Sequence, residues 1–127
     1  MNPLTFEWIR KAEGDWATLG RELRARKNPN FDAACFHAQQ CAEKYLKALL
    51  QEWCIPFGKT HNLAALLGQV LERDTSWEDL RAHLDPLTVY AVVFRYPGES
   101  ATKMEGREAL KHCRRVREEA RSSLGLS

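Results

Sequence analysis

Apolar residues recur every three or four positions through most of the chain, a spacing that places them on one face of an α-helix. The first such stretch runs from about Leu4 to Arg26 and ends at the breaker cluster of residues 27–30. The second runs from Phe31 to about Trp53 with a wide apolar face, and Asp32 near its start suits the positive end of the helix dipole. The pattern predicts two long helices, the second of them central in a bundle.

Three further helices are predicted after short turns. They span Asn62 to Glu72, Trp77 to Phe94 with Pro86 expected to kink or split the segment, and about Ala101 to Ser122. The strict alternation of apolar and polar residues that is typical of a β-strand is almost absent. Short connections between amphipathic helices predict an all-α, up-and-down antiparallel bundle of four to five helices, with residues 1–127 as a single domain.

The composition is that of an ordinary globular domain and excludes few functions. Apolar residues make up 44% of the 127 residues and charged residues 28%, and the formal net charge of +2 gives no global case for nucleic acid. No stretch is long enough to span a membrane, and the N-terminal segment lacks the apolar core of a secretory signal. We therefore expect a cytoplasmic protein.

The cysteines and the basic last helix both have an ordinary structural explanation. No CxxC pair is present, and three of the four cysteines fall within predicted helices, so we expect reduced thiols in the core. The four are Cys35, Cys41, Cys54 and Cys113. Lysines and arginines are frequent between residues 103 and 121, but glutamates are interleaved with them. This favours a solvated helix face with i,i+4 ion pairs over a nucleic-acid-binding stripe.

Three sequence strings in order resemble the prokaryotic HEPN domain family. They are FDAACFHAQQCAEKYLKALL in the second helix, KTHNLAALL at the start of the third and FRYPG at the end of the fourth. The resemblance implies a helical bundle that often pairs with itself. In many relatives it also implies a partnership with a minimal nucleotidyltransferase, as a two-component or toxin–antitoxin-like system. The family name refers to nucleotide binding, and other branches are metal-independent ribonucleases or toxins.

The ribonuclease branches of the family carry an arginine that is followed a few residues later by a histidine. No histidine follows Arg95 at that spacing, which puts cleavage in doubt. Arg107 and His112 match the spacing inside the last helix, but a separation of five residues turns the two side chains about 140° apart. A metal-independent endoribonuclease remains the alternative function, in which Arg95 or Arg107 stabilises the phosphate and His37 or His112 acts as acid or base.

His37 and Lys44 are the candidate phosphate-binding residues of the second helix. They lie on the same flank of that helix, about 20° apart and beside the apolar face. An imidazole next to an ammonium group suits a phosphate. The alternative is that His37 is a boundary residue that hydrogen-bonds to a neighbouring helix or to water.

The segment before the third helix is a second candidate site for a phosphate. Lys59 and His61 stand there, and Thr60 or Asn62 can cap the helix. Free N–H groups at a helix start point outward, where an anion can bind. The alternative is a capped helix start without a ligand.

The FRYPG loop offers a guanidinium and an aromatic ring. Arg95 suits a phosphate and Tyr96 suits stacking on a base, whereas the alternative is a packed turn in which both serve the fold. If the bundle brings this loop near the early turns of the second helix, His37, Lys44 and Arg95 form one electropositive cleft.

The sequence therefore predicts a nucleotide- or nucleic-acid-binding helical module that acts with a minimal nucleotidyltransferase and forms a homodimer or a higher homo-oligomer. Which nucleotide or RNA it binds stays open. We expect no cofactor and no metal, because the four histidines lie in separate segments without zinc-type spacing. A non-catalytic oligomerisation scaffold is the third hypothesis, and an absence of nucleotide binding would select it.

Overall fold

The computed structural model describes residues 1–126, which form five α-helices and one 3₁₀ helix without any strand in that range. In chain order these are α1 (Pro3–Arg24), α2 (Phe31–Glu52), α3 (Leu63–Leu71), the 3₁₀ helix (Thr75–Leu80), α4 (Arg81–Val93) and α5 (Lys103–Ser123). None of the helices in residues 1–126 is long and apolar enough to cross a membrane. The all-α fold predicted from the apolar spacing is confirmed.

Side-chain caps determine where most of the helices begin. The Asn2 side chain caps α1, and Pro3 occupies the first position, where its missing N–H costs no hydrogen bond. Asn30 and Asn62 cap α2 and α3, each by accepting a hydrogen bond from a backbone N–H three residues further on. A capping box begins α5 at Thr102. The apolar spacing alone places the start of α1 at Leu4 because it does not include the Asn–Pro signal.

The break in the fourth predicted segment lies before Pro86 and not at it. Residues Thr75–Leu80 form the 3₁₀ helix, and α4 then continues through Pro86. Of the two outcomes predicted for Pro86, a kink or a split, the split is wrong, because α4 is continuous through this residue. Proline removes one N–H from the helix, and the buried side chains Leu84 and Leu87 on either side of it hold the segment in place.

α2 is the centre of the bundle and packs against α1, α3, α4 and α5. This confirms the central place predicted for the second helix. Its core face carries small and large apolar side chains with almost no exposed surface, among them Ala34, Ala38, Cys41, Tyr45, Ala48 and Leu49. Gly106 lets α5 approach closely, because a Cβ atom there would lie 3.0 Å from Cδ2 of Leu23 on α1.

Three of the four cysteines are buried free thiols, as predicted. They are Cys35, Cys41 and Cys113, whereas Cys54 is exposed. Burial raises the pKa of the Cys35 thiol to about 12, so this group stays protonated and unreactive at neutral pH.

Only some of the charged side chains of α5 form the i,i+4 ion pairs that the sequence predicts. Arg115 and Glu119 form an i,i+4 pair with an N–O distance of 3.0 Å. Arg117 instead reaches across to α1 and donates two hydrogen bonds of 2.7 Å to the Glu13 carboxylate, which lowers the pKa of that carboxyl. The Tyr45 hydroxyl on α2 donates to the same carboxylate at 2.5 Å, so three helices are joined there.

Candidate functional site

The outer face of α2, opposite the core, is polar and nevertheless buried. Gln39, Glu43 and Lys47 are only 5%, 2% and 4% exposed. Side chains of α1 and of the segment before α3 cover this face, for example Trp8, whose ring centroid lies 5.3 Å from the Lys47 ammonium. Buried charges are tolerated only when they are paired and hydrogen-bonded, so this layer requires specific partners.

Asp15 of α1 is the partner of both His37 and Lys44. His37 Nδ1 lies 2.7 Å from Asp15 Oδ1, and Lys44 Nζ lies 2.6 Å from Asp15 Oδ2. Asp15 is 8% exposed, whereas the His37 and Lys44 side chains are 27% and 22% exposed. The two residues predicted to share a flank do so, but a carboxylate that the sequence did not reveal lies between them. Because Nδ1 of His37 faces Asp15, its Nε2 points away from the carboxylate.

Glu43 of α2 is the centre of a second set of contacts. His61 Nδ1 lies 3.0 and 3.1 Å from the two Glu43 oxygens, and Lys47 Nζ lies 3.1 Å from Glu43 Oε2. The Gln39 amide donates to the same carboxylate at 3.3 Å. The His61 side chain is 76% exposed, whereas that of Glu43 is 2% exposed. A buried carboxylate therefore orients a histidine that stands at the surface.

Two glutamines extend the hydrogen bonds of the Glu43 group along α2. Gln40 Nε2 donates to Gln39 Oε1 at 2.8 Å, and Gln39 Nε2 also lies 3.3 Å from the His61 carbonyl oxygen. We call the two groups the Asp15 triplet (Asp15, His37, Lys44) and the Glu43 triplet (Glu43, Lys47, His61). In each triplet the charge of the carboxylate balances the charge of the lysine.

The start of α3 is capped from within the chain. Asn62 Oδ1 accepts from the Ala65 N–H at 3.0 Å, and the Thr60 hydroxyl accepts from the Asn62 N–H at 3.1 Å. Lys59 is exposed and has no hydrogen bond or ion pair with any other residue in the range 1–126. The ammonium group of Lys59 is therefore available to an anion, whereas two of the nearby N–H groups already have acceptors.

Arg95, in the turn that follows α4, lines a cavity of about 350 Å³ together with the first turns of α2. The aromatic walls are Phe36 of α2 and Tyr90 and Phe94 of α4, and the last two rings stack with centroids 5.9 Å apart. Arg95 is exposed, and its guanidinium has no acceptor among the described residues. Tyr96 is 62% exposed and lies outside the lining of this Arg95 cavity.

The structure brings the Arg95 loop close to the early turns of α2, but Phe36 stands between Arg95 and the Asp15 triplet. Phe36 lines the Arg95 cavity, and its ring contacts the edge of the His37 ring with centroids 5.2 Å apart. His37 and Lys44 turn towards Asp15 on the other side. The Arg95 cavity and the Asp15 triplet are therefore neighbouring sites that share the Phe36–His37 contact.

Arg107 and His112 are not brought together on α5. His112 Nδ1 lies 3.0 Å from Nδ1 of His83 on α4, whereas Arg107 is exposed without an acceptor among residues 1–126. Burial, followed by the nearby charges of His112 and Arg115, lowers the pKa of His83. Within residues 1–126, no group of three or more His, Cys, Asp or Glu side chains is arranged to hold a metal ion.

Comparison with known proteins assigns the fold and the family. The crystal structure of ST0689, an archaeal HEPN homologue, matches with a TM-score of 0.67 at 21% sequence identity, covering 94% of this chain and 96% of that chain. At this identity the structural likeness establishes the fold alone. No curated protein matches the chain. The sequence profile of the HEPN domain matches residues 6–123. The resemblance carried by the three strings is thus confirmed, and the chain belongs to the HEPN domain family.

Proposed function

We propose that this HEPN protein is a nucleotide- or nucleic-acid-binding module that acts as a homodimer with a minimal nucleotidyltransferase in the cytoplasm. The observation that carries the proposal is the Arg95 cavity, where a guanidinium without an acceptor among residues 1–126 stands beside aromatic walls. Membership of a family that is commonly connected with nucleic acids supports it. The three buried free thiols are in keeping with a reducing compartment.

The Arg95 cavity offers a guanidinium for the phosphate and aromatic rings for the base of a nucleotide, and the one carboxylate in its lining, Asp32, already accepts a hydrogen bond of 2.6 Å from the Ala101 N–H. A guanidinium presents a planar fork of donors that binds phosphate through paired hydrogen bonds. The rings of Phe36, Tyr90 and Phe94 offer apolar surface to a base, and stacking of a base on an aromatic side chain contributes about 1–3 kcal/mol. The volume of about 350 Å³ is at the small end of ligand pockets and suits one nucleotide.

The remaining candidate residues extend the proposed site for a longer ligand. The His37 ring contacts Phe36, which lines the Arg95 cavity. Lys44 pairs with Asp15, the carboxylate that also contacts His37. Lys59 and the exposed ring of His61 offer contacts further along the molecule.

An exposed apolar stripe on α4 supports the homodimer. Val89, Val92 and Val93 are 55%, 49% and 36% exposed, and their spacing places them on one face of the helix. Phe36, in the wall of the adjoining Arg95 cavity, is 44% exposed. Size-exclusion chromatography with light scattering tests the homodimer. We expect the wild type to be dimeric and Val92→Glu to be monomeric, and a monomeric wild type would contradict this part of the proposal.

Calorimetric titration with ATP in EDTA tests the Arg95 cavity. We expect Arg95→Ala to weaken binding by about tenfold or more, because a charge-assisted hydrogen bond to phosphate is lost. Arg81→Ala is the matched control, since it removes the arginine at the start of α4, which is paired with Glu78 at 2.7 Å. Equal effects of the two substitutions would mean that the Arg95 cavity is not the nucleotide site.

Incubation with total RNA in EDTA separates binding from the ribonuclease alternative. Intact RNA together with nucleotide binding supports the binding module. Cleavage that disappears in Arg95→Ala, His37→Ala or His112→Ala would make the protein a ribonuclease. Intact RNA together with no measurable ATP binding would favour the oligomerisation scaffold. Co-expression with a minimal nucleotidyltransferase, followed by co-purification, tests the proposed partnership.

A further inference from the structure

The groove between the C-terminal half of α1 and the middle of α5 is rich in arginine and has no acidic side chain in its lining. Its volume is about 400 Å³. Arg21 and Arg24 of α1 and Arg114 of α5 line it, above apolar surface from Trp16, Leu23 and Leu110. We call this surface the arginine groove.

No carboxylate in residues 1–126 neutralises any of the three arginines of the groove. Arg21 Nη2 donates to a threonine hydroxyl of its own helix at 3.1 Å, which leaves its charge uncompensated. The Arg114 guanidinium lies over the Trp16 ring, with its carbon atom 6.0 Å from the ring centroid. The Arg24 guanidinium lies against Gly20, where a Cβ atom would be 2.8 Å from Nη1.

Arg117 provides an internal comparison, because it also lies over Trp16, at 4.9 Å from the ring centroid. Its guanidinium donates two hydrogen bonds to Glu13, so its charge is compensated within the fold. Arg114, one turn earlier, has no such acceptor among the described residues. Two arginines thus share one indole ring, and only Arg117 is held by a carboxylate.

The positive surface continues along α5 beyond the groove. The basic residues that recur there at helical spacing lie within about 80° of one another around the helix axis. They are Lys103, Arg107, Lys111 and Arg114. Of the four interleaved glutamates, only Glu118 lies in the same sector, and the others lie about 140° to 200° from Lys103. The helix therefore separates charges that are mixed in the sequence.

The arrangement concentrates six cations on one surface of a chain whose formal net charge is only +2, so the rest of the chain is formally acidic. Like charges that are held together without counter-charges destabilise a folded protein, and a bound anion relieves the repulsion. The groove itself contains arginine and no lysine, and the planar guanidinium matches phosphate geometry better than an ammonium group does.

We infer that the arginine groove binds the phosphodiester backbone of a single-stranded nucleic acid. The inference rests on the proposed nucleic-acid function and adds a surface distinct from the Arg95 cavity, one that follows a strand instead of holding one nucleotide. A narrow groove between two helices admits a single strand with its sugars against Leu23 and Leu110. Because phosphate contacts carry no sequence information, binding here is independent of base sequence.

Fluorescence anisotropy with a labelled oligouridylate of about 15 nucleotides, in EDTA, tests the groove in the full chain. The double variant Arg24→Gln/Arg114→Gln removes two cations of the groove. The matched control Arg73→Gln/Arg81→Gln removes two arginines from the α3–α4 side. Both double variants therefore lower the net charge by the same amount. Thermal unfolding by circular dichroism confirms that each variant is folded.

We expect the groove variant to bind at least about tenfold more weakly at about 50 mM salt, and the control to bind nearly as the wild type does. The slope of log affinity against log salt is expected to become shallower by about 1.4, since each phosphate contact on a single strand contributes about 0.7. Equal weakening of both variants, or an unchanged slope in the groove variant, would overturn the inference.

Two further measurements show whether the groove prefers RNA or DNA and separate this inference from the proposed function. An oligothymidylate that binds like the oligouridylate supports recognition of any single-stranded backbone, whereas stronger binding of the oligouridylate assigns the groove to RNA. ATP titrations of the same variants report on the Arg95 cavity. Normal ATP binding with no oligonucleotide binding rejects the groove alone. Oligonucleotide binding that is lost in the groove variant, in a protein that does not bind ATP, rejects the Arg95 cavity alone.

Discussion

Replacement of Glu43 by glutamine removes the charge at the centre of the Glu43 triplet and leaves Lys47 buried without its counter-ion. The side chains of Lys47 and Glu43 are 5% and 2% exposed, and their N–O distance is 3.1 Å. The Lys47 ammonium keeps one favourable contact, with the Trp8 ring centroid at 5.3 Å. The substitution is nearly isosteric, so its effect reports on charge and not on packing volume.

The expected cost follows from this burial. Removing one partner of a buried ion pair costs about 3–5 kcal/mol, because the other charge stays in the interior uncompensated. The contact of Lys47 with the Trp8 ring is present before and after the substitution, so it does not reduce this difference. We therefore expect Glu43→Gln to lower the free energy of unfolding by about 3–5 kcal/mol, out of the total of about 5–15 kcal/mol usual for a domain.

Urea unfolding at pH 7, followed by circular dichroism, measures the effect. Glu78→Gln is the control, because Glu78 pairs with Arg81 at the surface, where water screens the pair, and it should cost much less stability than Glu43→Gln. The double variant Glu43→Leu/Lys47→Met removes both charges and is expected to recover most of the lost stability. A cost of Glu43→Gln no larger than that of the surface control would refute the reasoning.

Local geometry provides three more tests. Cys54 is exposed with a φ of 57°, so Cys54→Gly is expected to raise the free energy of unfolding by about 0.5–1 kcal/mol, while Cys54→Ala leaves it unchanged. Thr102→Ala removes the capping-box acceptor of α5 and should cost about 1 kcal/mol in urea unfolding. Burial lowers the pKa of His83 from its ordinary value of 6.5, so the unfolded chain takes up this proton first as the pH falls. The stability of the wild type is therefore expected to fall more steeply below about pH 6.5 than that of His83→Gln, and identical pH profiles would contradict the lowered pKa.

The helices could be predicted because apolar spacing reports the buried face of each helix separately. The spacing identified α2 as central, and the relation between His37 and Lys44 followed from their positions within that one helix. It placed the start of α1 about one residue late, because the Asn2 cap and Pro3 are not part of the apolar spacing. It also could not locate the change from the 3₁₀ helix to α4 at Arg81, because both conformations bury residues three positions apart.

The polar layer on α2 could not be predicted, because burial of a charge depends on what lies opposite it. The spacing of apolar residues along α2 predicts that Glu43 and Lys47 face the solvent, whereas neighbouring segments cover both residues. The contacts of Asp15 with His37 and Lys44 could not be predicted for the same reason, since these partners are 22 and 29 residues further along the chain. The three arginines of the groove also come from two helices that are distant in sequence.

In the Glu43 triplet the lysine is buried and the histidine is exposed, so we expect the two residues to have different roles. The Lys47 ammonium is buried beside Glu43, so a phosphate can reach it only by breaking this pair, which costs several kcal/mol. The imidazole of His61 is 76% exposed and presents its Nε2 without disturbing Glu43. We therefore reason that Lys47→Met will mainly change the free energy of unfolding, whereas His61→Ala will mainly change ligand affinity. The exposed guanidinium of Arg95 and the arginine groove can exchange water for phosphate without this cost, so the ligand-binding capacity of the molecule resides there and at the histidines.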